Sequence, residues 1–155
     1  MNTGIIEAQT ALIDVLGAFP NPIDINQPVT VSSTEAGCNL ESSLPSVWVR
    51  RGRMTGRSLQ AADLYQDTRN FQLLCYVAEL CNNASDEAAY DNAVRWITPL
   101  HAFLARQSHS LMDAPGVTFD IANIRDSGDV SLFVTKGKRY AGVAFTVPLL
   151  FLTRY

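Results

Sequence analysis

The sequence predicts an α+β domain, a mostly antiparallel sheet with an N-terminal helix and a long middle helix packed on it. Three observations predict this. Apolar residues recur at helical spacing near the N-terminus and again after Ser85, the segments 69–80 and 140–152 alternate as strands do, and the chain shows no internal repeat. The resulting order is helix, three strands, helix, three strand segments, which suits helices gathered on one face of an antiparallel sheet. A length of 155 residues fits one core, so 1–155 is read as a single domain.

Ile5, Ala8, Gln9, Leu12, Ile13, Leu16 and Phe19 recur at i, i+3, i+4 and i+7, the stripe of a helix that packs one face on a core. Asn2 or Thr3 can cap its start, and Glu7 lies in an early turn, where the helix dipole favours negative charge. Pro20 and Pro22 stop it, since neither supplies a backbone donor. Gln27 to Ser33 is short, alternating and β-branched, and predicts a strand. A loop-like stretch follows, and Ser46 to Arg53 predicts a second strand ending at Gly52, with Val47 and Val49 on one face. Residues 53–68 are polar without clear period and are expected to form a long, mobile connection.

From Arg69 to Leu80 the alternation through Phe71, Leu73, Cys75 and Val77 predicts a central strand. Ser85 is a good helix cap, with Asp86 and Glu87 at the positive end of the dipole. Ala89, Ala93, Trp96, Ile97, Leu100, Phe103, Leu104 and Leu111 keep helical spacing, and Pro99 within that run should kink or divide the helix. Val117 to Asp126 and Val130 to Thr135 predict strands separated by an Asp-Ser-Gly-Asp turn, and Tyr140 to Leu152 predicts the last strand. Pro148 should mark a bulge, an edge or an end there, because it leaves one ladder position without a donor.

Composition narrows the function. Apolar residues make up 47% of the chain and charged residues only 17%, against roughly 25% in an ordinary globular domain. Interface cores are depleted in charge, so the deficit points to subunit or partner contacts. A net charge of −3 argues against a general polyanion binder, which normally carries a basic face. No apolar run reaches 18 residues, and the first residues lack the basic and apolar segments of a signal peptide, so a protein that starts in a cytoplasm is expected. Cys38, Cys75 and Cys81 lack scaffold spacing and are expected to be free thiols.

The search for chemistry is mostly negative. No dinucleotide or phosphate loop, nucleophile elbow or zinc-protease motif occurs. His101 and His109 with Cys75 and Cys81 match no compact metal spacing, and Asp63, Asp67, Asp113, Asp120, Asp126 and Asp129 are read as turn residues. No catalytic, cofactor-binding or metal-binding residue is assigned, and no enzyme activity or cofactor is implied. The sharpest charge feature is Arg50, Arg51, Arg53 and Arg57, four of the 12 basic residues within eight positions. Lys136, Lys138 and Arg139 form a second basic tip. Both are candidate contacts to a neighbouring subunit or to DNA phosphate, the alternative being solvated loops that keep a sheet edge soluble.

The order of elements, with TRNFQLLCYVAELCNNASDEAAYDNAVRWITPLHAFL as a strand feeding a capped helix and VTFDIANIRDSGDVSLFVTKGKRYAGVAFTVPLLF as closing strands, resembles the tail terminator proteins of long-tailed bacteriophages. It is similar also to the related head-tail joining proteins. The pattern covers nearly the whole chain, and it includes Tyr140, Gly142, Val143 and Phe145 of the last strand. The resemblance implies a homohexameric ring in the virion that caps the tail tube, ends its polymerisation, meets the head connector or neck protein, and lets DNA through its lumen without sequence specificity. It carries over no catalytic residue. A head-tail connector, or a nucleic-acid-binding module built on Arg50 to Arg57, is the alternative, and a small enzyme using Cys75 or His101 ranks last.

Overall fold

The computed structural model describes residues 3–107, 112–114 and 117–154. Helix α1 (Thr3–Leu16) is followed by β1 (Thr30–Ser32), the short α2 (Glu35–Cys38), β2 (Ser46–Ala61), β3 (Leu64–Leu80), α3 (Asp86–Val94), α4 (Ile97–Gln107), β4 (Met112–Ala114), β5 (Val117–Ile121), β6 (Arg125–Asp126), β7 (Ser131–Thr135) and β8 (Lys138–Arg154). The α+β reading holds. One eight-stranded sheet runs β1-β2-β3-β8-β5-β4, with β6 and β7 also on β8, and only the β1–β2 pair is parallel.

Alternation sends Val47, Val49, Phe71, Leu73, Cys75, Val143, Phe145, Val147, Leu149 and Phe151 to one face of the sheet, where they are buried. Ala8, Leu12 and Leu16 of α1 and Leu100 and Leu104 of α4 cover them, so the N-terminal stripe packs as its spacing predicts. Phe19 ends that stripe edge-on to Trp96, with ring centroids 5.4 Å apart. Helix α3 packs Ala89 and Ala93 against Leu80 and Ala141 on the same face, at the far end of β3 and β8. Among the described residues the opposite face carries no long helix; α2 covers the end near Tyr76 and Tyr140.

Several expectations are corrected. Residues 53–68 are not a connection. Strands β2 and β3 pair almost continuously from Ser46↔Tyr76 to Ala61↔Leu64, so this stretch is a long β-hairpin whose tip is Ala62-Asp63. Its inner strand stays paired with β8 to the end, Leu64 opposite Arg154, and only the outer strand and tip, residues 53–55 and 57–62, are exposed. That outer strand has no buried face, so it offers no apolar alternation to read. The first strand shrinks to Thr30–Ser32: it runs parallel to β2, whose first residue Ser46 already stands opposite Thr30, so residues 27–29 have no β2 residue to pair with.

The middle helical segment divides as expected, but at Arg95-Trp96 rather than at Pro99. Pro99 falls in the first turn of α4, where backbone N–H groups lack helical partners anyway and the missing donor costs little. Leu111 and His109 lie outside the described residues. Ser85 occupies the cap position of α3 without making the cap bond; its hydroxyl donates to Asn83 Oδ1 instead. The Asp86 carboxylate meanwhile accepts the N–H groups of Cys81 and Asn82 at 2.8 and 2.9 Å.

Pro148 stands inside an unbroken β8, opposite Asn70. Its carbonyl accepts the N–H of Ala122 at 2.9 Å, so its missing donor faces that same side. There the neighbouring strand is interrupted between β5 and β6. The irregularity lies in the partner strand, not in β8.

Candidate functional site

The four arginines of β2 do not form one patch. Arg50 and Arg51 leave the strand on opposite faces. Arg50 donates to Gln72 Oε1 and lies over the Trp48 ring, 5.6 Å from its centroid. The Arg51 Nε donates to Gln9 Oε1 at 2.7 Å, and Gln9, itself buried, donates to the Val49 carbonyl at 2.8 Å. This clamp ties α1 to β2. At the sheet edge Arg50 and Arg51 come back together, lining a cavity of about 350 Å³ with Gln9, Ser33, Thr34 and Trp48.

Between Arg51 and Met54 the ladder slips, with Gly52 and Arg53 opposite Asn70 alone. A β-carbon on Gly52 would stand 1.9 Å from the Asn70 carbonyl oxygen, so only glycine fits this bulge. Arg53, within the bulge, is exposed. Arg57 is committed elsewhere. It holds Asp67 through Nε–Oδ1 at 2.7 Å and Nη2–Oδ2 at 2.9 Å and covers the Tyr65 ring, 5.3 Å from its centroid. Asp67 is therefore no turn residue but a buried strand carboxylate with a two-point partner.

The second basic tip sits at the other end of the sheet. Arg57 faces Asp67, while Arg139 faces Leu80 thirteen residues further along β3, so roughly 40 Å separates these two arginines at ~3.3 Å per residue. Lys136 and Gly137 take positive φ of 50° and 75°, the two-residue hairpin turn joining β7 to β8. Lys138 Nζ lies 3.9 Å from Glu79. Lys136 and Lys138 also line a cavity of about 530 Å³ with Glu35, Asn39, Glu41, Thr135 and Tyr140. Within it the Glu35 carboxylate accepts hydrogen bonds from the Thr135 hydroxyl at 2.5 Å and the Tyr76 hydroxyl at 3.4 Å. Burial, with Glu35 beside it, pushes the Tyr76 phenol up to about 12. These contacts fasten α2 to the sheet, and sequence spacing gave no sign of them, since Glu35 and Thr135 lie 100 residues apart.

A third cavity, of about 480 Å³, is lined by His101, Ala105, Asp120, Ile121, Ala122, Asn123 and Ile124. His101 Nδ1 lies 2.9 Å from Asp126 Oδ2, and the hydrogen bond from His101 holds the Asp126 carboxyl below its usual range. A carboxylate-anchored imidazole is half of a nucleophilic apparatus. The cavity lining supplies no hydroxyl or thiol to complete it. The Cys75 thiol is fully buried, and burial pushes it far up, which disfavours the thiolate a nucleophile needs. Among the described residues no three His, Cys, Asp or Glu gather as a metal site, and no helix is long and apolar enough to cross a membrane.

No known protein family matches the chain, and no curated protein is matched by its sequence.

Proposed function

We propose that the chain is a structural subunit of a closed homo-oligomeric ring in a phage virion, a tail terminator or a related head-tail joining protein. The observation that carries this reading is the β2–β3 hairpin. Beyond Trp48 the outer edge of β2 has no strand partner among the described residues, and residues 53–55 and 57–62 are exposed along it, while β3 beside it stays paired with β8 from Leu64 to Leu80. A long unpaired edge is a template for further pairing, and proteins that work as monomers shorten or cover such edges. A subunit with such an open edge on one side can dock it on a different surface of its neighbour, and such a head-to-tail contact closes into a ring when the rotation allows. The low charge content supports the same reading.

In this role the subunit caps the tail tube, stops its growth and offers its other side to the neck or head connector, with DNA crossing the lumen. The geometry weighs against the nucleic-acid-binding module as the primary function. Arg57 is spent on Asp67, Arg51 is tied to Gln9, and the two basic groups lie at opposite ends of the sheet.

Native mass spectrometry and negative-stain imaging of the protein, alone and mixed with tail tube protein, test the reading. Sixfold rings are the expected result. Monomers alone under every condition, with no binding to tube ends, overturn it.

A further inference from the structure

Strand β1 ends opposite Trp48, so no strand among the described residues flanks Arg50 or Arg51. Their side chains leave β2 on opposite faces, yet both reach round this open edge, where they line the cavity of about 350 Å³ with Gln9, Ser33, Thr34 and Trp48. No acidic residue is among these six. Glu35 follows Thr34 in the chain, but its carboxylate is taken up by the hydroxyls of Thr135 and Tyr76. The cavity therefore presents donors and positive charge.

Both guanidiniums are held from behind. Arg51 donates through Nε to Gln9 at 2.7 Å, and Gln9 is only 4% exposed, its own amide fixed on the Val49 carbonyl at 2.8 Å. Burying a glutamine amide costs stability unless its polar atoms are bonded, and here one of them is committed to orienting a surface arginine. Gln9 takes only the Nε, which leaves the two terminal amines of Arg51 for a further acceptor. Arg50 is fixed by Gln72 Oε1 and by the Trp48 ring, 5.6 Å from its centroid. The same ring donates through Nε1 to the Ser33 carbonyl at 3.2 Å, which ties Ser33 and Thr34 to the arginines. Thr34 Oγ1 accepts the Gly37 N–H at 3.0 Å, so its hydroxyl hydrogen remains to be donated.

We infer that this cavity binds the phosphoryl group of a phosphate ester. Two guanidiniums and two hydroxyls are more donors than the two oxygens of a carboxylate engage, whereas three phosphoryl oxygens meet both arginine forks at once. A phosphate monoester carries about −1.5 to −2 charges at pH 7, which the two guanidiniums balance. Because Gln9, Gln72 and Trp48 hold the arginines in place before the ligand arrives, little side-chain freedom is lost on binding. The volume exceeds that of a phosphate alone, so room remains for the group that carries it, with Trp48 as an apolar wall. All six lining residues belong to one chain, so the site is complete in a monomer and is independent of ring assembly.

Isothermal titration calorimetry of the full chain at low salt, with inorganic phosphate, adenosine monophosphate and acetate, tests the site. Phosphate and the nucleotide should bind saturably, one per chain, and acetate at least ~tenfold more weakly. Arg50→Gln and Arg51→Gln should each keep the wild-type circular dichroism and weaken phosphate binding at least ~tenfold, the loss expected for one hydrogen-bonded contact to a charged group. Arg53→Gln, outside the cavity, should leave it unchanged. Gln9→Met retains both arginines but removes the support of Arg51, and should weaken binding as well. Arg51→Lys keeps the charge without the fork and should remain weak. A blunt DNA duplex without terminal phosphates distinguishes the sources: duplex binding that is lost in the same two arginine variants assigns the backbone diester, and nucleotide binding without duplex binding assigns a free or terminal monoester. Acetate binding as tight as phosphate, binding unchanged in both Arg50→Gln and Arg51→Gln, or no saturable binding by the wild-type chain overturns the site.

Discussion

Arg57 and Asp67 face each other across the β2–β3 hairpin in a two-point ion pair of 2.7 and 2.9 Å, the Asp67 side chain 3% exposed and the Arg57 side chain 37%. Asp67 also stands opposite Phe151 of β8, a core residue, so the pair ties the exposed outer strand to the edge of the core, and the Tyr65 ring under the guanidinium shields it from water.

Removing only the arginine leaves a buried carboxylate without its counter-charge. Arg57→Leu is expected to cost about 1–3 kcal/mol, less than a fully buried pair would, because the guanidinium is partly solvated. The double variant Arg57→Leu/Asp67→Leu should recover most of that loss. Urea denaturation of the three proteins measures it, and a double variant as unstable as the single one would show that the charges are not what holds the hairpin.

Gly142 is fixed by space. A β-carbon there would stand 1.8 Å from the Cys75 carbonyl oxygen and 2.8 Å from the Phe133 ring, which leans over the glycine toward Tyr76 at a centroid separation of 4.7 Å. Gly142→Ala must displace backbone and is expected to cost about 3 kcal/mol, the upper part of the overpacking range. At Gly56 the nearest atoms to such a carbon lie at 3.9 Å, so Gly56→Ala should be close to neutral. Thermal melts of the two variants compare them directly, and equal losses would mean that contact at Gly142 is relieved without strain.

These two sites also mark what the sequence made legible. Where one face of a strand is buried, as at Phe71, Leu73 and Cys75 or at Val143, Phe145 and Val147, alternation predicted strand and core face together. The outer strand of the hairpin was lost because residues 53–62 have no buried face, which erases the period there. Arg50, Arg51, Arg53 and Arg57 read as one cluster because linear spacing carries no information about a bulge. The slip at Gly52 and the buried Asp67 separate them in space. Asp67 itself was hidden among turn aspartates, since its partner is a strand residue ten positions away.

The thiols differ enough to be distinguished chemically. Cys38 and Cys75 are buried and Cys81 is exposed, and none is in a disulfide. Burial, reinforced by Glu35, pushes the Cys38 thiol up to about 11, and burial pushes Cys75 higher still. At mildly alkaline pH a disulfide reagent should therefore modify Cys81 alone in the folded protein and all three thiols in denaturant, since the thiolate is the reactive form. Fast modification of Cys75 in the native state would mean that the strands over it open readily. Cys81→Ser should abolish the rapid phase.

The pairing of His101 with Asp126 gives the fold a defined acid response. The hydrogen bond from His101 is the main cause that lowers the Asp126 pKa below its ordinary 3.8, with the Gly128 N–H adding to it and burial opposing it. A carboxyl whose folded pKa lies below its unfolded one stabilises the fold above the unfolded value and loses that contribution as pH falls through the folded one. Asp126→Asn keeps an acceptor for Gly128 but removes the charge. The wild-type protein should accordingly be the more stable of the two from neutral pH down to about 3.8, and the difference should shrink as the solution is made more acidic than that. Equilibrium denaturation across this range reads it. A difference that persists unchanged in stronger acid would assign the effect to lost packing between α4 and β6 rather than to ionisation, and His101→Gln, which keeps a hydrogen-bond donor without the imidazole, should then reproduce the wild-type profile.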